Sequence, residues 1–174
     1  MKREALLDAA EAVLLEHGTQ ALTLTAVAER AGVSKGGLLY HFPTKEALIT
    51  ALVSRVIAEF DALVEEYERQ PGASFTRAFV EATFAIVAVP DGERTGRRWA
   101  AITAATTTPE LAAPLREAMD RWHHRDEAED ADPVAATVVR LAAEGLWEVV
   151  AHGSGRFSPE QYTALRRRLL DLLG

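Results

Sequence analysis

The chain has 174 residues, 26% of them charged, and a formal net charge of −7. That length supports one domain, or a small N-terminal head fused to a larger body. The acidic balance excludes a protein that coats nucleic acid without regard to sequence, because phosphate binding is carried by Lys and Arg. The chain has no cysteine, so disulfide frameworks and thiolate metal sites are excluded too, which fits a reducing compartment.

Ala, Leu, Glu and Arg dominate, few runs alternate in period two, and no Asn-Gly hairpin signal occurs, so an all-α fold is expected. The N-terminus, MKREALLDAA, passes from charge into an amphipathic helix rather than an apolar signal core. No window is long and apolar enough to span a bilayer, and a soluble cytoplasmic protein is expected.

Lys2 to His17 reads as the first helix, with Leu6, Ala10, Val13 and Leu14 on one face and Gly18 as its stop. Thr25 is placed as the N-cap of a second helix over Ala26–Ala31, ended by Gly32. Ser34 caps a third, over Lys35–Phe42. Two helices so close in sequence form a helix-turn-helix. Val27, Ala28, Ala31, Val33 and Leu38 are expected to pack them together, leaving Lys35, Gly36, Gly37, Leu39, Tyr40 and His41 outward, a set that suits DNA better than solvent. Between Ala21 and Lys45 the cations Arg30, Lys35 and Lys45 face the single acid Glu29, so this face is locally positive and salt-sensitive, specific binding is expected.

Thr44 caps a long helix running to about Arg69, with Leu48, Leu52, Val56, Phe60, Leu63 and Tyr67 on one face. It is expected to bridge head and body, so that a tilt of its axis moves the recognition helix. Lys45 in its first turn is expected to meet phosphate with its charge and the surrounding backbone amides. Gln70-Pro71-Gly72 breaks the pattern, and Ser74 opens a helix to about Val89 rich in Phe75, Phe79, Phe84 and Ile86. Pro90-Asp91-Gly92 is a second break, followed by a segment over Glu93–Thr106 carrying Trp99, Ile102 and Thr103. Thr108-Pro109 starts the next helix, in which Pro114 predicts a kink or a late start. His123–Asp132 reads as a loop or frayed helix end. Asp132-Pro133 opens a helix to about His152, ended by Gly153-Ser154-Gly155. Ser158 and Gln161 form a capping box for the last helix, with Tyr162, Leu165, Leu169, Leu172 and Leu173. The helix after Pro133 is apolar on more than one side and carries Gly145 in its middle, a surplus that points to a homodimer seam at Val138, Leu141, Gly145, Val149, Leu165 and Leu169.

The run Val33-Ser34-Lys35-Gly36-Gly37-Leu38-Leu39-Tyr40-His41-Phe42, followed by Pro43-Thr44-Lys45-Glu46-Ala47-Leu48, resembles the DNA-binding signature of TetR-type transcriptional regulators. Ala9, Ala10, Val13, Leu14, Gly18, Leu22 and Thr23 are similar to that family's first helix and following turn. The chain departs from the signature at Gly37, where threonine is frequent, and at Leu39, where a phosphate-contacting tyrosine is frequent. The resemblance covers the first third of the chain in detail and only the length and helical character of the rest. It implies a DNA-binding set of Thr23, Thr25, Ser34, Lys35, Gly36, Gly37, Leu39, Tyr40, His41, Thr44 and Lys45. It also implies two heads reading a palindromic operator, and an effector cavity in the segments that hold Phe79, Thr83, Trp99, Thr103, Trp122 and Trp147.

The expectation is a three-helix helix-turn-helix head, residues 1–45, followed by a helical ligand-binding and dimerisation body, residues 46–174. The resemblance makes it a homodimeric repressor released from DNA by a small apolar or aromatic ligand. The alternative is a regulator controlled by a protein partner, or one without an effector. No cofactor and no metal are expected. His123 and His124 with Asp120, Asp126 and Glu127 read as a solvated helix end rather than a metal or acid–base site, since adjacent histidines on a helix point apart. An enzyme built on His123, Asp120 and Ser154 is the remotest reading, and no phosphate loop, nucleophile elbow or zinc motif is present.

Overall fold

The computed structural model of the chain describes residues 2–88, 92–129, 131–151 and 157–174, and for residues 92–97, 126–129 and 151 the backbone alone. Among these residues the fold is all-α, with no strand. The helices are α1 (Lys2–His17), α2 (Leu24–Arg30), α3 (Lys35–His41), α4 (Lys45–Glu68), α5 (Phe75–Val87), α6 (Gly92–Ala104), α7 (Pro109–Glu129), α8 (Pro133–Ala151) and α9 (Pro159–Asp171). Two compact units form: Met1–Val56 with Arg98–Arg116, and Ile57–Arg97 with Glu117–Gly174.

In the first unit, α1 buries Leu6, Leu7, Ala9, Ala10, Val13 and Leu14, and Gly18 closes it in the left-handed region at φ 78°. The α2–α3 turn is closed by Gly32 at φ 66°, whose N–H donates to the Glu29 carbonyl at 3.1 Å. Leu7, Leu14, Leu22, Val27, Leu38, Phe42, Leu48 and Leu52 form the core beneath this turn. Ion pairs tie its helices at the rim. Arg30 of α2 makes two bonds of 2.6 Å to Glu16 of α1. Arg55 of α4 reaches Asp8 and Glu11 of α1 at 2.6 Å each, and Arg98 of α6 reaches the other oxygen of Glu11 at 2.7 Å.

The second unit is organised on α5, which buries residues on all sides, from Phe75 and Thr76 through Phe79, Val80 and Thr83 to Val87. Rings gather about Phe60. Phe79, Trp122 and Trp147 lie 5.0, 5.3 and 5.9 Å from it, each edge to face, the geometry in which ring quadrupoles attract. Asp61 fixes the outer end of Trp122, accepting from its Nε1–H at 2.7 Å and from Arg121 at 2.6 Å.

Several expectations need correction. The α2 cap is Thr23, not Thr25: the Thr23 hydroxyl accepts from the Ala26 N–H at 3.1 Å with extended backbone, and Thr25 falls inside the first turn. Val33, expected in the α2–α3 packing, is 38% exposed. Gly92 begins α6 rather than ending a break, while Pro90 and Asp91 lie outside the described residues. Pro114 neither delays nor divides α7. The carbonyl it leaves without an N–H belongs to exposed Glu110, which water can serve, and Arg116 donates to the neighbouring Pro109 carbonyl at 2.7 Å. The polar run from His123 is helical as far as Glu129. Gly153, Ser154 and Gly155 lie outside the described residues.

Candidate nucleic-acid interface

Three hydroxyl caps set the surface around α3. Thr23 caps α2, Ser34 accepts from the Gly37 N–H at 3.1 Å, and Thr44 accepts from the Ala47 N–H at 3.1 Å. Each hydroxyl accepts one amide of the fold and keeps its O–H to donate outward, and the three residues shape the interface by starting helices there. Leu38 and Phe42 point into the core, which turns Lys35, Gly36, Gly37, Leu39 and Tyr40 outward, with His41 half-buried beside them. Tyr40 is 86% exposed and sits edge-on to His41 at 5.2 Å. Thr25 is exposed in the first turn of α2.

The charge of this face differs from the expectation in one respect. Arg30 is spent on Glu16, whose carboxylate it holds below the usual range through its hydrogen bonds. The cations left for a polyanion are Lys35, with its side chain exposed, and Lys45, whose Nζ leans on the Thr19 carbonyl at 3.4 Å. Both Gly36 and Gly37 are helical without positive φ. A Cβ at Gly36 would meet nothing within 4 Å, and one at Gly37 only the Ser34 hydroxyl at 3.3 Å. Packing inside the chain therefore gives no reason for glycine at 36, although each helical glycine costs about 1 kcal/mol relative to alanine.

Comparison with known proteins shows which family carries this surface. Residues 6–52 match the model of bacterial regulatory proteins of the tetR family, and residues 73–174 match that of the tetracyclin repressor-like C-terminal domain. The chain belongs to the TetR family. It is 43% identical over 56 residues to the HTH-type transcriptional regulator RutR of Escherichia coli (strain K12), and the match spans 32% of this chain and 26% of RutR. Similarity to the E. coli regulator UidR is 26% over 172 residues, covering 97% of this chain and 75% of UidR. Among solved structures, the multidrug binding protein EbrR complexed with malachite green superposes with a TM-score of 0.79 at 22% identity, over 99% of this chain and 98% of that one. A transcriptional regulator from Rhodococcus sp. Rha1 gives 0.74 at 21%, over 99% and 96%. The match to the N-terminal model takes in α2 and α3, the helix-turn-helix of this chain.

In this TetR-family body the residues expected to line a ligand site fall in different places. Phe79 and Trp122 are buried and Trp147 is half-buried in the ring cluster of the second unit. Thr83, one turn beyond Phe79 on α5, is fully buried and its hydroxyl lacks a hydrogen-bond partner. Trp99 and Thr103 lie on α6 in the first unit, where the Thr103 hydroxyl donates to the Trp99 carbonyl at 2.9 Å. The seam residues are better defined. On α8, Ala136, Val139, Arg140, Ala143, Leu146 and Val150 face inward, while Val134, Val138 and Leu141 are 74%, 55% and 52% exposed, with Gly145 exposed and Val149 half-buried on the same side. On α9, Leu165 and Leu172 are exposed and Leu169 is half-buried.

Sequence reasoning missed the Arg55–Glu11–Arg98 cluster and the Glu81–Arg166 pair that joins α5 to α9 at 2.5 and 2.6 Å. Partners so far apart in the chain leave no local pattern to read. Among the described residues, no group of acidic and histidine side chains is placed to hold a metal, and no helix is long and apolar enough to cross a membrane.

Proposed function

We propose that the protein is a cytoplasmic, homodimeric repressor that binds a palindromic operator and is released from it by a small apolar or aromatic ligand. Residues 1–45 act as the DNA-binding domain and 46–174 as the regulatory and dimerisation domain. The observation that carries the dimer is the apolar stripe Val134–Val138–Leu141, spaced four and three residues apart on one side of α8 with no covering element among the described residues. A symmetric pair of heads then reads two half-sites about one helical turn apart. Ligand and operator compete by favouring different states of the dimer, and linkage makes the effect mutual: a ligand that weakens DNA binding tenfold is itself bound tenfold more weakly on DNA, a coupling of about 1.4 kcal/mol. Phe79, Trp122 and Trp147 supply the apolar wall of the site and the unpaired Thr83 hydroxyl its orienting group. EbrR, of similar fold, has been solved with malachite green and with proflavin, which makes such dyes reasonable first probes.

Selection of bound sequences from random DNA tests this reading. A palindrome bound by a dimer is the expected result, and a monomer that enriches no sequence overturns it. A second reading, regulation without a small-molecule effector, is favoured by how closely the rings about Phe60 fill the space between them. Titrating aromatic compounds with and without operator separates the two, since only the first requires an affinity that depends on DNA.

Two substitutions probe the DNA face. Lys45→Ala is expected to lower affinity for all sequences about equally, and to flatten the log–log salt slope by roughly one unit per lost phosphate contact, or two in the dimer. An unchanged slope removes Lys45 from the contact set. Gly36→Ala is expected to act with opposite signs. It raises stability by about 1 kcal/mol, or roughly 3 °C in Tm, because the new methyl meets open space within the chain and helix propensity improves. It lowers operator affinity, because the DNA then meets a Cβ where it approached bare main chain. Unchanged affinity in the stabilised variant would place Gly36 outside the interface.

A further inference from the structure

Between the end of α4, the outer face of α5 and α9 lies a groove of about 450 Å³, within the second unit and separate from the ring cluster about Phe60. α9 has no fully buried residue, so its inner face rests on α5 without closing over it. The walls are aromatic: Tyr67 from α4, Phe84 from α5 and Tyr162 from α9, the last two edge to face at 6.3 Å. Polar groups converge at one side, where Arg166 spans to Glu81 and Gln70 stands at the lip.

The sign of the charge follows from geometry. Arg166 uses Nε and Nη2 on Glu81, two of the five N–H donors that a guanidinium carries. The Arg166 side chain is 44% exposed and that of Glu81 18%, so a group entering from solvent meets the remaining guanidinium N–H edge, with the carboxylate behind it. The Gln70 amide and the Tyr67 phenol add further N–H and O–H donors. A carboxylate can therefore join Arg166 in a charge-assisted pair without displacing Glu81, whereas an amine meets the exposed guanidinium before it reaches the less exposed carboxylate. We propose that this groove is a second ligand site, and that it takes a planar aromatic carboxylic acid, with the acid on Arg166 and the ring against Tyr67, Phe84 and Tyr162. Its volume lies within the range of small-molecule sites, and its walls combine apolar rings with a few placed donors, as such sites do.

The test uses the full chain and three probes with one ring system, 2-naphthoate, 2-naphthamide and 2-naphthylmethylammonium, followed by calorimetry without DNA. The acid is expected to bind at least about tenfold more tightly than the amide or the amine. Arg166→Gln is expected to abolish that preference. Ala88→Trp, which places a bulky side chain at the exposed rim of the groove, is expected to abolish binding while leaving helix content and Tm unchanged. Equal affinity for the three probes, indifference of the acid to either substitution, or no binding of the acid at millimolar concentration overturns the proposal. None of these outcomes depends on the operator, so each is distinct from failure of the repressor reading.

Discussion

Phe79→Ala is expected to cost about 4 kcal/mol of stability and to lower Tm by roughly 10 °C. The ring is buried and touches three others, Phe60 at 5.0 Å, Trp122 at 5.7 Å and Phe75 at 5.9 Å, so truncation leaves a cavity bounded by rigid groups that cannot collapse into it. The edge-to-face contacts to Phe60 and Trp122, worth about 0.5–1.5 kcal/mol each beyond area, are lost together. Calorimetric unfolding of the variant measures the loss. A cost under about 1 kcal/mol would mean that the neighbouring rings relax into the space that Phe79 leaves.

Leu141→Glu is expected to convert the proposed homodimer to a monomer at micromolar concentration and to reduce affinity for the proposed operator by about a hundredfold or more, because each head then binds its half-site without the other. The physical cause is desolvation: a carboxylate in the middle of an apolar seam has no partner and is costly to bury. Val138→Glu, one turn away, should act in the same direction, and Leu165→Glu more weakly because that side chain is less exposed to begin with. Light scattering with a binding titration on the palindrome measures both effects. A variant that remains a dimer with full affinity excludes the α8 stripe as the seam.

Much of the fold was legible because its signals are local. The first helix runs from Lys2 to His17 as read. Ser34, Thr44, Ser74, Thr108, Asp132 and Ser158 cap helices as expected, each side chain reaching an amide two or three residues ahead. The error at Thr25 is of the same kind: two threonines stand two residues apart, both suit the cap, and only the backbone conformation selects Thr23. The run after His123 failed for another reason. Its polarity suggests a fraying end, yet Arg125 pairs with Glu68 and lies over the Phe75 ring at 4.3 Å, contacts to residues fifty or more positions earlier that hold the helix in place. The outward set Lys35, Gly36, Gly37, Leu39 and Tyr40 was legible because it occupies one short contiguous segment. The acid-binding groove was not, because its walls come from three helices and its charged pair spans 85 positions.

Glu11 answers to two helices at once, with Arg55 of α4 on one oxygen and Arg98 of α6 on the other. Any replacement there alters both contacts together, and of the two arginines Arg98 depends on position 11 more, because Arg55 also holds Asp8. Related chains that lack the acid at the position of Glu11 are expected to have changed the arginine at 98 as well, whereas Arg55 keeps a partner in Asp8.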